Sequence, residues 1–190
     1  MLDGPGLPTL EARRVRLRWL EARDVPALFE VFSDREAMRY WSSEAMTEPR
    51  EAAASLAAIE DGFATKTLFQ WGVARREGDG VIGTCTLAQL SVAHRRAEIG
   101  FAFARAWWGR GLASEAVDRL LAFAFDEVGL HRVEADADPR NARSIALLER
   151  LGFVHEGLAR ERWWVGDEAA DGILFSVLAR EWRARTSGER

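Results

Sequence analysis

The stretch of residues 97–125 constrains the fold of this chain most strongly. Its first seven residues are apolar apart from Glu98, which predicts a buried β-strand. Gly109 and Gly111 follow in a short loop and allow the backbone to turn with positive φ angles. From Ala113 onward the apolar residues recur at helical spacing. The sequence therefore predicts a strand, a glycine turn and a long helix in direct succession.

This arrangement predicts an anion site at residues 108–113. A helix that begins directly after a glycine loop presents unpaired backbone N–H groups and the positive end of its dipole to the loop. The chain lacks the GxxxxGK(S/T) pattern of a P-loop and the three-glycine fingerprint of dinucleotide-binding domains. The functional interpretation is that this loop binds a phosphate-containing ligand of another kind. The alternative is that the two glycines only permit a tight turn.

Composition excludes several classes of function. The 190 residues, 48% of them hydrophobic, suit one compact domain, and the net charge of −4 gives no indication of nucleic acid as a direct partner. Cys85 is the only cysteine, so neither a disulfide framework nor a metal-binding cluster is expected. The sequence contains no apolar run long enough to cross a membrane, and its first residues do not resemble a signal peptide. We therefore expect a cytoplasmic protein without membrane association.

Residue patterns predict seven strands and four helices within a single domain at 13–183. A flexible tail is expected at 1–12 and a polar tail at 184–190. The predicted strands are 14–20, 68–75, 81–90, 97–103, 131–138, 153–164 and 173–179. The predicted helices are 24–32, 47–59 (ending before Gly62), 113–128 and 142–150, with an acidic loop at 166–172. This order indicates an α/β domain with a mostly antiparallel sheet.

Three motifs then point to a known family. AEIGF is followed by WWGRGLA and, about thirty residues later, by PRNARSIALLERLGF. Together they resemble the acetyl-CoA signature of the GNAT N-acetyltransferases. The opening LRWLEARD and the ending GILFSVLAREW resemble the RimJ/RimL-like, ribosomal-protein alanine acetyltransferase subgroup. The resemblance implies an α/β (α+β) fold with a mixed, mostly antiparallel sheet of about seven strands, two of them parallel and splayed, flanked by about four helices.

The resemblance also implies an acetyl-CoA site and no metal. The family's pyrophosphate loop has Gln or Arg, two variable residues, Gly, one variable residue, then Gly or Ala, which falls on residues 108–113. Trp108 departs from this pattern, although the loop contacts come largely from backbone amides. The pantetheine arm would lie between strands 97–103 and 132–138. The implied cofactor-binding residues are Phe101, Ala102, Phe103, Trp108, Gly109, Arg110, Gly111, Leu112, Ala113, Asn141 and Ser144.

Glu98 and Ser144 are the predicted catalytic residues. Acetyl transfer to an amine needs a base for the amine proton, and Glu98 is the lone charge in an apolar strand, where burial would raise its pKa. It also matches a glutamate that serves as the base in some family members. The alternative is a structural pair with a nearby arginine, either Arg95 or Arg96. Glu134 and Asp136 on the neighbouring strand are weaker candidates for the base.

In many members of the family, a tyrosine donates the proton that the thiolate leaving group takes up. The position of this tyrosine is occupied by Leu148 in this chain, and Ser144 fits the serine used by RimL-like members. Asn141 matches the asparagine of the family motif near the pantetheine. It also fits the cap of the following helix, and the two roles are compatible.

The acceptor site is predicted from the family to involve residues 32–46 and 160–171. Its aromatic walls would be Tyr40, Trp41, Trp163 and Trp164, and acidic side chains at Glu161, Asp167 and Glu168 would attract a cationic amine. The alternative places these tryptophans in the core or at a homodimer surface. The acceptor is either a small-molecule amine or a peptide amine such as a protein N-terminus. A CoA-binding module with little catalysis and a structural domain remain as competing hypotheses.

Overall fold

The structure is a computed structural model that describes residues 2 and 4–188. Eight β-strands occur in chain order: β1 (Leu10–Glu11), β2 (Val15–Arg18), β3 (Leu68–Arg75), β4 (Val81–Ser91), β5 (Arg96–Phe103), β6 (Arg132–Ala137), β7 (Val154–Val165) and β8 (Glu168–Leu178). Six α-helices accompany them: α1 (Val25–Ser33), α2 (Arg35–Met38), α3 (Pro49–Ala64), α4 (Leu112–Ala122), α5 (Ala142–Arg150) and α6 (Ala179–Gly188). A π-helical turn, Phe123–Glu127, extends α4.

The eight strands form one sheet in the order β1-β2-β3-β4-β5-β6-β8-β7. Every neighbouring pair is antiparallel except β5 and β6, which are parallel and are connected through α4. A parallel pair needs a crossover connection, which the glycine loop and α4 supply. The predicted mixed, mostly antiparallel sheet with one parallel pair is confirmed, with eight strands and six helices instead of about seven and four.

Helices cover the two faces of the sheet. Val73 belongs to the core cluster that contains the apolar side of α4, whereas the next residue, Ala74, belongs to the cluster with α1 and α3. Because consecutive strand residues point to opposite faces, the two clusters lie on opposite sides of the sheet. Leu148 of α5 and Trp182 of α6 join the α4 side. The glycine loop before α4 is thereby fixed at one end of β5.

The chain termini differ from the predicted tails. Leu7 and Leu10 are buried, and β1 pairs with β2 inside the predicted tail 1–12. The Trp71 indole N–H also donates to the Pro8 carbonyl at 2.9 Å. At the other end, α6 continues to Gly188, into the region expected as a polar tail. Residues 1, 3, 189 and 190 of the predicted tails lie outside the described residues.

Two internal boundaries also differ from the sequence predictions. Helix α3 passes through Gly62 and ends at Ala64, because Gly62 is a packing residue there: a Cβ atom on it would lie 2.6 Å from Leu68 Cβ. The predicted acidic loop 166–172 is mostly strand, since β8 begins at Glu168 and pairs with β7. Those polar residues lie where the β7–β8 hairpin is open to solvent, so their polarity does not indicate a loop.

Candidate active site

Strands β5 and β6 separate after a short paired segment. Their register runs from Arg96 opposite Arg132 to Glu98 opposite Glu134 and ends there. Beyond this point β5 stays paired with β4 as far as Phe103, and β6 stays paired with β8 as far as Ala137. The facing edges of the two strands therefore carry backbone N–H and C=O groups that can bind an extended amide ligand.

The predicted anion loop lies at the far end of β5. Gly109 and Gly111 both have a φ of 72°, and Gly111 precedes the first residue of α4. A Cβ atom on Gly109 would meet no other heavy atom of the described chain within 4 Å, so the loop backbone faces open space. Arg14 braces the loop by donating from Nη1 to the Arg110 carbonyl at 2.9 Å. An open, braced loop at a helix N-terminus suits a pyrophosphate.

Arg14 is itself held in place by Glu115 in the first turn of α4. Its Nε donates to Glu115 Oε2 at 2.7 Å, and its backbone N–H donates to Oε1. Partial burial acts to raise the pKa of Glu115, but these hydrogen bonds outweigh it and keep the pKa below its ordinary value. Glu115 is therefore ionised and committed to Arg14, so it does not oppose a phosphate at the loop.

Trp108 anchors the loop through its side chain. Its indole N–H donates to the Phe103 carbonyl at 2.7 Å, which ties the loop to the end of β5. Of the three predicted cofactor-binding residues on β5, only Phe101 lines the cleft described next, whereas Ala102 and Phe103 are buried. A cofactor would reach Ala102 and Phe103 through the backbone.

A cleft of about 550 Å³ opens beside the splayed strands. It is lined by the segment between α2 and α3, by the separating parts of β5 and β6, by the start of α5, and by the β7–β8 hairpin. Tyr40, Trp41 and Trp163, three of the four aromatic residues that the sequence suggested for an acceptor site, contribute to its walls. Trp164 does not: it is 71% exposed, and consecutive strand residues point to opposite faces.

Glu98 lies at the point where β5 and β6 separate and lines this cleft. Desolvation by burial, with a further contribution from nearby Asp136, raises the pKa of Glu98, while Arg162 partly counteracts them. Gln89 Nε2 donates to Glu98 Oε2 at 3.0 Å. The pairing with Arg96 considered from the sequence is not formed, because Arg96 Nη1 contacts Glu134 at 2.6 Å.

The other carboxylates on β6 are already engaged. Glu134 contacts Arg96 and also Arg132, the latter at 2.8 Å. Asp136 is ion-paired with Arg162 of β7 and lines the cleft close to Glu98. Glu134 and Asp136 are thus each held by an arginine, whereas the side-chain hydrogen bond of Glu98 comes from Gln89.

The cleft carries more negative than positive side chains. Its carboxylates are Glu44, Glu98, Asp136, Asp138, Glu168 and Asp171, against the cations Arg35, Arg39 and Arg140. Arg140 is neutralised by Asp138 at 2.7 Å and Glu168 at 2.8 Å. Of the three acidic residues expected from the sequence, only Glu168 lines the cleft. Glu44 and Asp171 lie within the predicted acceptor segments 32–46 and 160–171 but were not singled out, because neither stands in a motif.

The start of α5 brings Asn141 and Ser144 into the same cleft. Asn141 Oδ1 accepts a hydrogen bond from the Ser144 N–H at 3.1 Å, so Asn141 caps α5. Leu148, at the position that the family resemblance assigns to a tyrosine, is fully buried in the core. Ser144 is therefore the hydroxyl that α5 presents to the cleft. Within the described residues, no group of three or more His, Cys, Asp or Glu side chains could hold a metal ion.

Comparisons with known proteins agree with this geometry. Residues 14–154 match the family described as the acetyltransferase (GNAT) domain. The uncharacterized N-acetyltransferase p20 of Bacillus licheniformis is 35% identical over 93% of this chain and 99% of its own length. The spermidine N(1)-acetyltransferase of Escherichia coli (strain K12) is 25% identical over 94% of both chains.

Solved structures share the fold over nearly the whole chain. A GCN5-related N-acetyltransferase from Brucella melitensis superimposes with a TM-score of 0.84 at 26% identity, covering 95% of this chain and 82% of that one. The ribosomal-protein-S5-alanine acetyltransferase of Vibrio fischeri superimposes with a TM-score of 0.79 at 22% identity, covering 93% of this chain and 99% of that one.

Proposed function

Since this chain belongs to the acetyltransferase (GNAT) family, we propose that it is an acetyl-CoA-dependent N-acetyltransferase whose acceptor is a cationic primary amine that attacks the thioester directly. The observation that carries the proposal is the continuity of three features. The open glycine loop, the separated edges of β5 and β6, and the cleft around Glu98 follow one another along β5. A cytoplasmic location remains a prediction.

The residues of this path fit acetyl-CoA. The loop amides near Gly109 and Gly111 suit its pyrophosphate, and the separated strand edges suit the two amides of its pantetheine arm. The bound cofactor supplies an acetyl thioester, an acyl group activated toward amines. A backbone N–H on the separated part of β5 would hold the acetyl carbonyl oxygen as negative charge develops on it.

Glu98 and Ser144 would manage the protons. An amine is mostly protonated near neutral pH, so it must lose a proton before it can attack. The Glu98 carboxylate takes that proton, directly or through a water, and its raised pKa brings it closer to the working range of a base. Gln89 holds Oε2 of Glu98, which fixes the orientation of the carboxylate in the cleft. The Ser144 hydroxyl donates a proton toward the departing sulfur.

Charge in the cleft favours an acceptor with more than one positive group. Glu44 and Asp171 also line the cleft, so they would bind a second ammonium while Glu98 receives the reacting amine. Tyr40, Trp41 and Trp163 suit the aliphatic part of such a molecule and can stack on a cation. The spermidine N(1)-acetyltransferase relative supports this acceptor class. A protein N-terminus followed by basic residues would satisfy the same chemistry.

Release of CoA thiol in the presence of acetyl-CoA and a panel of amines tests the proposal. The panel pairs a diamine or polyamine with a monoamine of equal chain length, and a basic peptide with an acidic one. We expect turnover with the cationic members and a kcat/KM at least about tenfold lower for each matched partner, the size of one charge-assisted contact. Acetyl-CoA binding by calorimetry without thiol release from any amine would instead support the CoA-binding module.

A further inference from the structure

The ion pair between Asp136 and Arg162 crosses the sheet at the cleft. Asp136 lies on β6 and Arg162 on β7, and β8 runs between these two strands. Arg162 Nε donates to Asp136 Oδ2, and the Asp136 side chain is only 9% exposed. Because Asp136 lines the same cleft as Glu98, this pair determines how much negative charge stands near the proposed base.

Gly172 of β8 leaves the space that this ion pair occupies. A Cβ atom on Gly172 would lie 2.8 Å from Arg162 Cδ and 2.9 Å from Asp136 Oδ2, which is closer than a Cβ atom can approach. The φ angle of Gly172 lies outside the left-handed region that favours glycine, so the backbone conformation alone does not require glycine there. A glycine inside a strand often marks a close approach of other groups. Here those groups are the two members of the ion pair.

A bulge in β7 directs Arg162 across β8. Between Ala159 and Trp163, which both pair with β8, β7 has three residues where β8 has one. Glu161, the middle residue, has a φ of 51°, a conformation that side chains other than glycine rarely adopt. Its backbone N–H donates to Asp171 Oδ1 at 2.8 Å, which holds the bulge in place. Bulges of this kind redirect side chains and are frequent next to active sites.

Charged side chains from three strands act on Glu98. After desolvation by burial, the two members of the ion pair have the largest effects: Asp136 raises the pKa of Glu98 and Arg162 lowers it. Weaker effects of opposite sign come from Glu134 and Arg96, which pair with each other. Strand β4 contributes the uncharged Gln89, and the other charged residues that line the cleft are Arg35, Arg39, Glu44, Asp138, Arg140, Glu168 and Asp171.

We propose that Arg162 is a positioning residue for acetyl transfer: by holding Asp136 in an ion pair, it prevents this second carboxylate from competing with Glu98 for the amine and its proton. The inference rests on the proposed role of Glu98 as the base. Without Arg162, two carboxylates of like charge would share the cleft, and each would disfavour ionisation of the other. With Arg162 in place, the charge of Asp136 is neutralised and Glu98 receives the proton.

Titration of the Glu98 carboxyl by carbon-13 NMR tests the inference, with Glu98→Gln identifying the signal. Arg162→Gln should move the titration to higher pH, because the charge of Asp136 is then no longer neutralised. Asp136→Asn should move it to lower pH, because Arg162 then acts on Glu98 without its aspartate partner. The acidic limb of kcat/KM should shift in the same two directions. On that limb Arg162→Gln should lose about threefold or more, the effect of half a pH unit, with a nearly unchanged plateau.

Gly172→Ala separates the position of the ion pair from its charge. It should shift the titration in the same direction as Arg162→Gln although it removes no charge, whereas Arg162→Lys should stay close to wild type. One matched control is Gly157→Ala, since a Cβ atom on Gly157 would meet no heavy atom of the described chain within 4 Å. The other is Arg180→Gln, which removes an arginine from α6 whose side chain is 70% exposed. Both controls should leave the titration of Glu98 unchanged.

An unchanged titration in both Arg162→Gln and Asp136→Asn would overturn the inference, as would a shift in the same direction in both. Thermal melting checks that each variant is folded, and Gly172→Ala is judged by the same criterion if either of them is not. The titration needs no turnover, so the inference can fail while thiol release by the wild type leaves the proposed function standing. Thiol release from no amine would overturn the proposed function and, with it, the role of Arg162.

Discussion

Ser144 is the residue on which the thiolate step of the account depends. The position that the family resemblance assigns to a tyrosine is taken by Leu148, whose side chain is fully buried and cannot reach the cleft. Asn141, one turn earlier, is committed through its side chain to capping α5. The sequence motif identified both positions, but only the structure separates a capping role from a cleft-facing hydroxyl.

Ser144→Ala should lower kcat while leaving the acetyl-CoA affinity within about threefold of wild type, because the change removes a proton donor used in the reaction. Asn141→Ala should instead weaken acetyl-CoA binding and lower the melting temperature, since losing an N-cap costs about 1 kcal/mol. Steady-state kinetics with calorimetry and thermal melting distinguish these patterns. A Ser144→Ala enzyme with unchanged kcat at every pH would remove Ser144 from the mechanism.

Two neighbouring tryptophans, Trp163 and Trp164, illustrate what single residues in a sequence can and cannot reveal. Trp163 lines the cleft and Trp164 faces away, a difference that follows from strand alternation once the strand is located. The position of Arg143 over Trp108 had no signal in the sequence. Its contact with Trp108 joins two residues from different elements, and no local pattern encodes that neighbour.

At the scale of elements, the loop and α4 act as one unit. Gly111 has a φ of 72° and stands directly before α4, where the proposed pyrophosphate approaches the backbone. The strand, loop and helix were predictable because strand composition, glycines and helical periodicity all indicate the same boundaries. The end of α3 and the start of β8 were not predictable from the sequence. Gly62 is a packing residue inside α3, and the polar start of β8 lies on an open hairpin.

Gly111→Val should weaken acetyl-CoA binding strongly, because a β-branched side chain both disfavours the positive φ and blocks approach to the loop. Gly129→Val is a matched control: Gly129 has a φ of 79° and no heavy atom of the described chain within 4 Å of an added Cβ. Both variants carry similar backbone strain, but only Gly111→Val should lose affinity in calorimetry. Equal affinities in the two variants would mean that the pyrophosphate binds elsewhere.

At the scale of the whole molecule, ion pairs make stability depend on pH. Hydrogen bonds from Arg132 and then Ser176 lower the pKa of Glu156 to about 2. A carboxyl with a depressed pKa binds fewer protons when folded than when unfolded, so folding stability falls as the pH falls. This contribution is fully present above the ordinary pKa of 4.5 and is lost as the pH approaches 2.

Arg132→Gln should therefore flatten the acid side of the stability curve. Chemical unfolding between about pH 6 and pH 3 should show a smaller loss of unfolding free energy in the variant than in wild type, because Glu156 then keeps only the Ser176 hydrogen bond and its pKa is lowered less. Arg95→Gln, an exposed arginine outside this network, serves as the control. Parallel curves for wild type and Arg132→Gln would show that the Arg132 pairs do not contribute to stability.

The overall architecture was more accessible from sequence than the site was. Three motifs between residues 97 and 153 indicate the parallel pair and the crossover helix, and the strand patterns on either side of them indicate the rest of the sheet. An acidic acceptor site was predicted, but the residues that form it were harder to identify, because Glu44, Asp136 and Asp171 come from three separate parts of the chain. Only the fold brings them into one cleft with Glu98, and with them the charge that we propose selects the acceptor.

The pH dependence of kcat/KM for wild type and Glu98→Gln tests the central claim most directly. The glutamine keeps the size of the side chain and can still contact Gln89, but it cannot accept the amine proton. We expect a loss of roughly 10²–10⁴-fold near neutral pH, the usual range for a general base, that shrinks as the pH rises and more amine is unprotonated. Because the pKa of Glu98 is raised, the acidic limb of the wild-type profile should lie above the ordinary pKa of 4.5 and should be absent from the variant. A Glu98→Gln enzyme within about threefold of wild type at neutral pH, with the same acidic limb, would contradict the account.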